Sequence, residues 1–137
     1  MGDNMTHEDM KKLAYELIDL NKCAMVTTNG KGGFPYTRIM KVMKKDGLKE
    51  FVFVTRKDSN KIKQIKKSNK GSVYFYDEKN YHAVMFLGRF KITENNMFGI
   101  PNIYTIDPHD PFEYVVMIFK PDTMRVYNHY KTDKEEL

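Results

Sequence analysis

Four residues in two short stretches carry the groups that bind phosphate. Arg38 lies in Pro35-Tyr-Thr-Arg-Ile-Met40. Thr55, Ser59 and Lys61 lie in Phe51-Val-Phe-Val-Thr-Arg-Lys-Asp-Ser-Asn-Lys-Ile-Lys-Gln-Ile65. The second stretch reads as a strand closed by Thr55, a polar turn, and a helix capped by Asp58 or Ser59, with Lys61 in the first turn. A helix start offers free backbone N–H groups and the positive end of the dipole, so with hydroxyls beside it and an ammonium nearby it suits a phosphate. The same residues also make an ordinary strand-to-helix turn, because Ser and Asp cap helices of every kind. Arg38 is the second clue. In an extended chain Tyr36, Arg38, Met40 and Val42 share one face, so a guanidinium stands among apolar neighbours. A buried guanidinium requires an anion, either a protein carboxylate or a bound phosphate.

Other catalytic chemistry is poorly represented. His7, His82, His109 and His129 are scattered, with no H-E-x-x-H and no close Cys/His spacing for zinc. There is no G-x-S-x-G motif. The single cysteine, Cys23, heads an apolar strand and reads as a structural thiol. Asn29-Gly-Lys-Gly-Gly33 is glycine-rich but has neither the G-x-G-x-x-G nor the Walker spacing, so it reads as a hairpin turn rather than a phosphate cradle. Any redox or group-transfer chemistry would then belong to a cofactor.

These residues must be positioned by strands. Thr6-His-Glu-Asp9 resembles a capping box, and Met10, Leu13, Ala14, Leu17 and Ile18 recur at helical spacing, which predicts a helix from His7 to Leu20. Strands are predicted over 23–28, 35–43, 50–55, 72–77, 81–93, 113–119 and 124–130. Turns are expected at Lys44–Gly47, Glu78–Asn80 and Lys120–Thr123, and a second helix over 58–68. Gly88 inside the long strand predicts a bulge or bend. Residues 94–112 read as an irregular segment that covers something; its Tyr104 and His109 read first as packing or surface residues, and otherwise as groups that reach a ligand from such a cover. About seven short strands with tight turns and no βαβ alternation predict an antiparallel barrel with helices at its ends. One domain over 1–137 is expected, with flexible ends at 1–5 and 131–137.

The chain has 137 residues, 41% hydrophobic and 30% charged, which suits one folded core. Its apolar runs are too short to span a bilayer and no signal peptide is evident, so a cytoplasmic location without membrane contact is expected. A net charge of +5 admits nucleotides and anionic metabolites as partners. Lys63, Lys66, Lys67 and Lys70 share a helical face. That face reads as solvated rather than as a nucleic-acid surface, since no aromatic residues interleave with the lysines.

In this order the features resemble a family. Ala24-Met-Val-Thr-Thr28, the arginine-bearing Pro35–Met40, Phe53-Val-Thr55 followed by Ser59-Asn-Lys61 and Gln64-Ile65, and Val84-Met-Phe-Leu-Gly88 resemble the flavin-binding split barrels related to pyridoxamine 5′-phosphate oxidase, especially the general stress protein 26-like group. The resemblance covers 20–93, with a weaker echo at 112–130. It implies a mainly β fold, a six-stranded antiparallel Greek-key split barrel, and a homodimer with flavin mononucleotide (FMN) in the cleft between subunits. It further implies that Arg38, Ser59 and Lys61 hold the phosphate with Thr55 close by, that the backbone at Ile39 and Met40 meets the ring's polar edge, and that Tyr127 flanks the ring. Met43 and Asn60 stand where the oxidase has basic residues. The implied activity is therefore flavin-dependent oxidoreduction of another small molecule, with a nicotinamide donor, rather than pyridoxamine phosphate oxidation. A deazaflavin or heme in the same barrel, or a basic nucleic-acid-binding barrel, are the alternatives.

Overall fold

The computed structural model describes residues 5–94, 113–128 and 131–137. The chain opens with helix α1 (His7–Leu20). The capping box forms: Asp9 N donates to Thr6 Oγ1 at 3.1 Å, and Thr6 N faces the Asp9 carboxylate at 3.4 Å. Met10, Leu13, Ala14, Leu17 and Ile18 are its buried stripe, each large side chain contributing about 1.5–3 kcal/mol by leaving water.

Strands β1 (Cys23–Asn29) and β2 (Pro35–Lys41) form a hairpin across the glycine turn. They are followed by β3 (Lys44–Asp46), β4 (Glu50–Arg56), helix α2 (Asn60–Lys67), β5 (Lys70–Asp77), β6 (His82–Thr93), β7 (Tyr114–Asn128) and β8 (Lys131–Glu136). All pairings are antiparallel, in the order β2-β1-β5-β6-β7-β4-β3, with β8 also paired to β7. The result is a curled antiparallel half-barrel with flanking helices, the architecture of a split barrel. Its core is aromatic: Phe51, Phe75 and Phe86 meet with centroids 5.0–6.2 Å apart.

The strands differ from the sequence reading in three places. Lys44–Asp46 is a short strand against β4, not a turn, and the turn follows it at Gly47 with φ +54°. The expected turn at Lys120–Thr123 is absent, and β7 runs through it unbroken. Pro121 survives in mid-strand because the ladder is shifted there: Leu87 pairs with Thr123 and Gly88 with Pro121, which leaves Asp122 as the extra residue. A bulge needs no N–H at every position, so the missing proline donor costs little. Gly88 is the bend expected of it, and a Cβ there would lie 2.1 Å from the Lys120 carbonyl oxygen. Finally, the polar end 131–136 pairs as β8. Its charged composition is that of an edge strand, and it joins the sheet through backbone pairing with β7. These additions raise the strand count above six without changing the half-barrel.

Candidate functional site

Alternation along β1 places Ala24, Val26 and Thr28 on the core face and Met25 and Thr27 on the outer face. In the β1–β2 register Val26 pairs with Arg38 and Ala24 with Met40, so Arg38 and Met40 face the core. Met40 is buried and Arg38 half-buried, as the apolar-face reading required. Ile39, on the opposite face, is 69% exposed.

Arg38 is held by neutral groups. Its Nη1 donates to Thr28 Oγ1 at 2.7 Å and to the Tyr36 carbonyl at 2.9 Å, and Nη2 lies 3.4 Å from Gln64 Oε1. Thr28, fully buried, donates its hydroxyl proton to Gln64 Oε1. One chain of hydrogen bonds thus ties β1, β2 and α2 together. Of the two partners left open by the sequence, the carboxylate is missing: among the described residues no carboxylate pairs with Arg38, and burial alone moves its pKa, downward.

Helix α2 sets the second half. Ile62 and Ile65 anchor it in the core. Ser59 occupies the N-cap position, but its hydroxyl makes no bond to the helix amides; it lies 3.5 Å from Thr55 Oγ1 instead. Asp58 does not cap either. Its carboxylate is bound by Arg56 through two contacts at 2.9 and 2.7 Å. The pKa of Lys61 is lowered from 10.5, first by burial and then by the positive charges of Arg38 and Arg56. Two half-buried cations therefore repel each other at the start of a helix, beside two hydroxyls, with no described carboxylate paired to either. A dianion placed there would relieve that repulsion and gain charge-assisted hydrogen bonds.

Of the residues expected to act together, Arg38, Thr55, Ser59 and Lys61 share this end of the core. Ile39 and Met40 adjoin it on β2, which ends the path of the sheet; in the antiparallel register the N–H and C=O of Met40 face Ala24 of β1, while those of Ile39 point to the open edge. Tyr127 does not join this group. It lies on the outer face, its ring centroid 6.4 Å from that of Tyr74, in a groove of about 740 Å³ also lined by Met25, Thr37 and Met85. Tyr104 and His109 lie outside the described residues. Sequence reasoning gave no role to Thr28 and Gln64. A hydroxyl closing the buried Ala24-Val26-Thr28 row, and an amide one helical turn from Lys61, were the available signals.

A family model described as pyridoxamine 5′-phosphate oxidase matches residues 10–128. The chain belongs to the pyridoxamine 5′-phosphate oxidase family. Among solved structures it is similar to a protein related to general stress protein 26 from Clostridium acetobutylicum. The two share 27% identity over 96% of this chain and 97% of that one, with a TM-score of 0.82. A heme binding protein from Mycobacterium smegmatis shares the fold at 13% identity and a TM-score of 0.74, over 96% of this chain and 60% of that one. So does a pyridoxamine 5′-phosphate oxidase-related, FMN binding protein from Nostoc punctiforme, at 11% identity and a TM-score of 0.63, covering 100% and 99% of the two chains. No curated protein matches. Among the described residues no helix is long and apolar enough to cross a membrane, and no group of three His, Cys, Asp or Glu side chains could hold a metal.

Proposed function

We infer that this protein binds FMN and serves as a flavin-dependent oxidoreductase of a small molecule. The observation that carries the reading is the pair Arg38 and Lys61, half-buried, mutually repelling and unpaired with any described carboxylate. The site fits the phosphate of a flavin nucleotide: Arg38 and Lys61 neutralise it, Ser59 and Thr55 offer hydroxyls, and Thr28 and Gln64 fix the guanidinium. The backbone of edge strand β2 at Ile39, beside Met40, is available to the polar edge of the ring. When bound, the flavin would supply hydride or electron transfer; the chain supplies binding, orientation and charge.

The outer sheet face supports a homodimer. Ile39, Met25, Tyr74, Met85 and Tyr127 lie on it, with Ile39 and Tyr76 strongly exposed. An apolar face of this kind is suited to self-association. A second copy there would bring Tyr127 beside a flavin lying over the β2 edge. A deazaflavin nucleotide also carries a phosphate and would use the same cations, so Arg38 and Lys61 favour a phosphate-bearing cofactor over heme.

The test is the absorbance spectrum of the purified protein, followed by anaerobic mixing with NADH or NADPH. Flavin bands that bleach with either donor support the reading. A protein that neither carries nor takes up flavin rejects it.

A further inference from the structure

A second cleft adjoins the first site. It measures about 870 Å³ and runs between the glycine turn 29–33 and the exposed side of α2. Lys31, Lys63 and Lys67 line it, and no aspartate or glutamate does. Asp58 is the carboxylate that feels Lys63, but it is already held, first and chiefly, by Arg56. Three ammonium groups around one concavity raise its potential and concentrate anions there.

The wall nearest Arg38 is directional. Gln64 Oε1 is fixed by Thr28 and Arg38, which sets the sense of the amide and turns its Nε2 donors the other way. That nitrogen faces the glycine turn: a Cβ built on Gly30 would lie 3.0 Å from it and 2.2 Å from the Tyr36 ring. Nε2 has no acceptor among the described residues. The turn itself is fixed, with Gly30 N bonded to the Phe34 carbonyl at 2.8 Å and Gly33 N to the Gly30 carbonyl at 3.0 Å. Gly32 and Gly33 take φ of +70° and +77°, which only glycine adopts without strain. A rigid loop, an amide presenting donors and three lysines therefore surround a cleft that shares Gln64 with the first anion site.

We propose that this cleft is a second anion site, which binds a phosphate-bearing group beside the one held by Arg38 and Lys61. The proposal rests on the flavin reading only for what occupies the first site. The group has two possible sources, a cofactor extended beyond its first phosphate or a separate phosphorylated electron donor.

Isothermal titration with sodium pyrophosphate at constant ionic strength tests it. Three double variants are compared with wild type. K63E/K67E alters the cleft, R38A/K61A removes the first site, and K11E/K12E makes the same charge change on α1. Beyond any pyrophosphate that the Arg38–Lys61 site takes, one per chain is expected on wild type, on R38A/K61A and on K11E/K12E, and this one is at least tenfold weaker in K63E/K67E. Retention in R38A/K61A holds whether or not the protein takes up flavin, so failure here is distinct from failure of the flavin reading. Pyrophosphate displaced by FAD but not by FMN assigns the group to the cofactor. Displacement by NADPH from FMN-loaded protein assigns it to a donor. Unchanged binding to K63E/K67E, an equal loss in K11E/K12E, or abolished binding in R38A/K61A would each overturn the proposal.

Discussion

Replacing Lys61 with alanine separates a phosphate ligand from a structural lysine. A charge-assisted hydrogen bond is worth about 1.5–3 kcal/mol. Lys61 is half-exposed, so screening by water and salt places it near the lower end, and FMN binding should weaken roughly tenfold. Arg38 is oriented by Thr28 and the Tyr36 carbonyl, so less of its freedom is lost on binding. Arg38→Ala should cost nearer the upper end, on the order of a hundredfold. Riboflavin has the same ring without the phosphate, and its affinity should change by less than about threefold, within the scatter of a remote polar substitution. The free protein supplies a second sign. Because Lys61 is repelled by Arg38 and Arg56, Lys61→Ala should leave the thermal midpoint of the flavin-free protein unchanged or raise it. Flavin fluorescence titrations with both ligands, and thermal melts without ligand, give the readouts. Equal losses for FMN and riboflavin, or a midpoint that falls with the affinity, would refute the reasoning.

Three further outcomes follow from the same geometry. The pKa of Lys61 is lowered in the free protein and would be restored by a phosphate, so in the alkaline range below 10.5 binding takes up a proton and FMN affinity falls as pH rises. Over that window the unfolded chain holds the Lys61 proton that the folded flavin-free chain has lost, so the Lys61 contribution to stability rises with pH, against the opposite contributions of Lys57 and Tyr74, whose pKa values are raised. FMN titrations of wild type, and urea melts of flavin-free wild type compared with Lys61→Ala, at several pH values check the two signs. Thr28→Val keeps the shape but leaves Arg38 and Gln64 without their shared partner at a fully buried position, and should cost about 1–3 kcal/mol of stability by urea denaturation while also weakening FMN. Ile39→Glu puts a charge on the exposed outer face without touching the core, and should convert a dimer to a folded monomer in sedimentation velocity with unchanged circular dichroism.

Much of this was legible in the sequence because it depends on local rules. The α1 stripe and its capping box follow from spacing alone, and both form. The face carrying Arg38 follows from strand alternation, and β2 keeps it. Non-local pairing was less legible. Pro121 reads as a turn until Gly88 is placed opposite it, because only the bulge excuses a proline in mid-strand. The polar 131–136 segment reads as a tail because its order comes from backbone pairing with β7 rather than from hydrophobic pattern. At the site, the cations and hydroxyls were visible as phosphate-binding types. Thr28 and Gln64 were not, since their role arises from β1, β2 and α2 meeting at one point 36 residues apart in sequence. Ser59 reads as a possible cap, but the structure directs its hydroxyl to Thr55 rather than to the helix amides.

We propose that this split barrel holds a flavin through its phosphate. The most direct measurement is a titration of the flavin-free protein with FMN, followed by quenching of flavin fluorescence, with riboflavin titrated in parallel. Saturation at one FMN per chain, with riboflavin clearly weaker, is the predicted result. No saturable binding, or equal affinity for the two flavins, would contradict it.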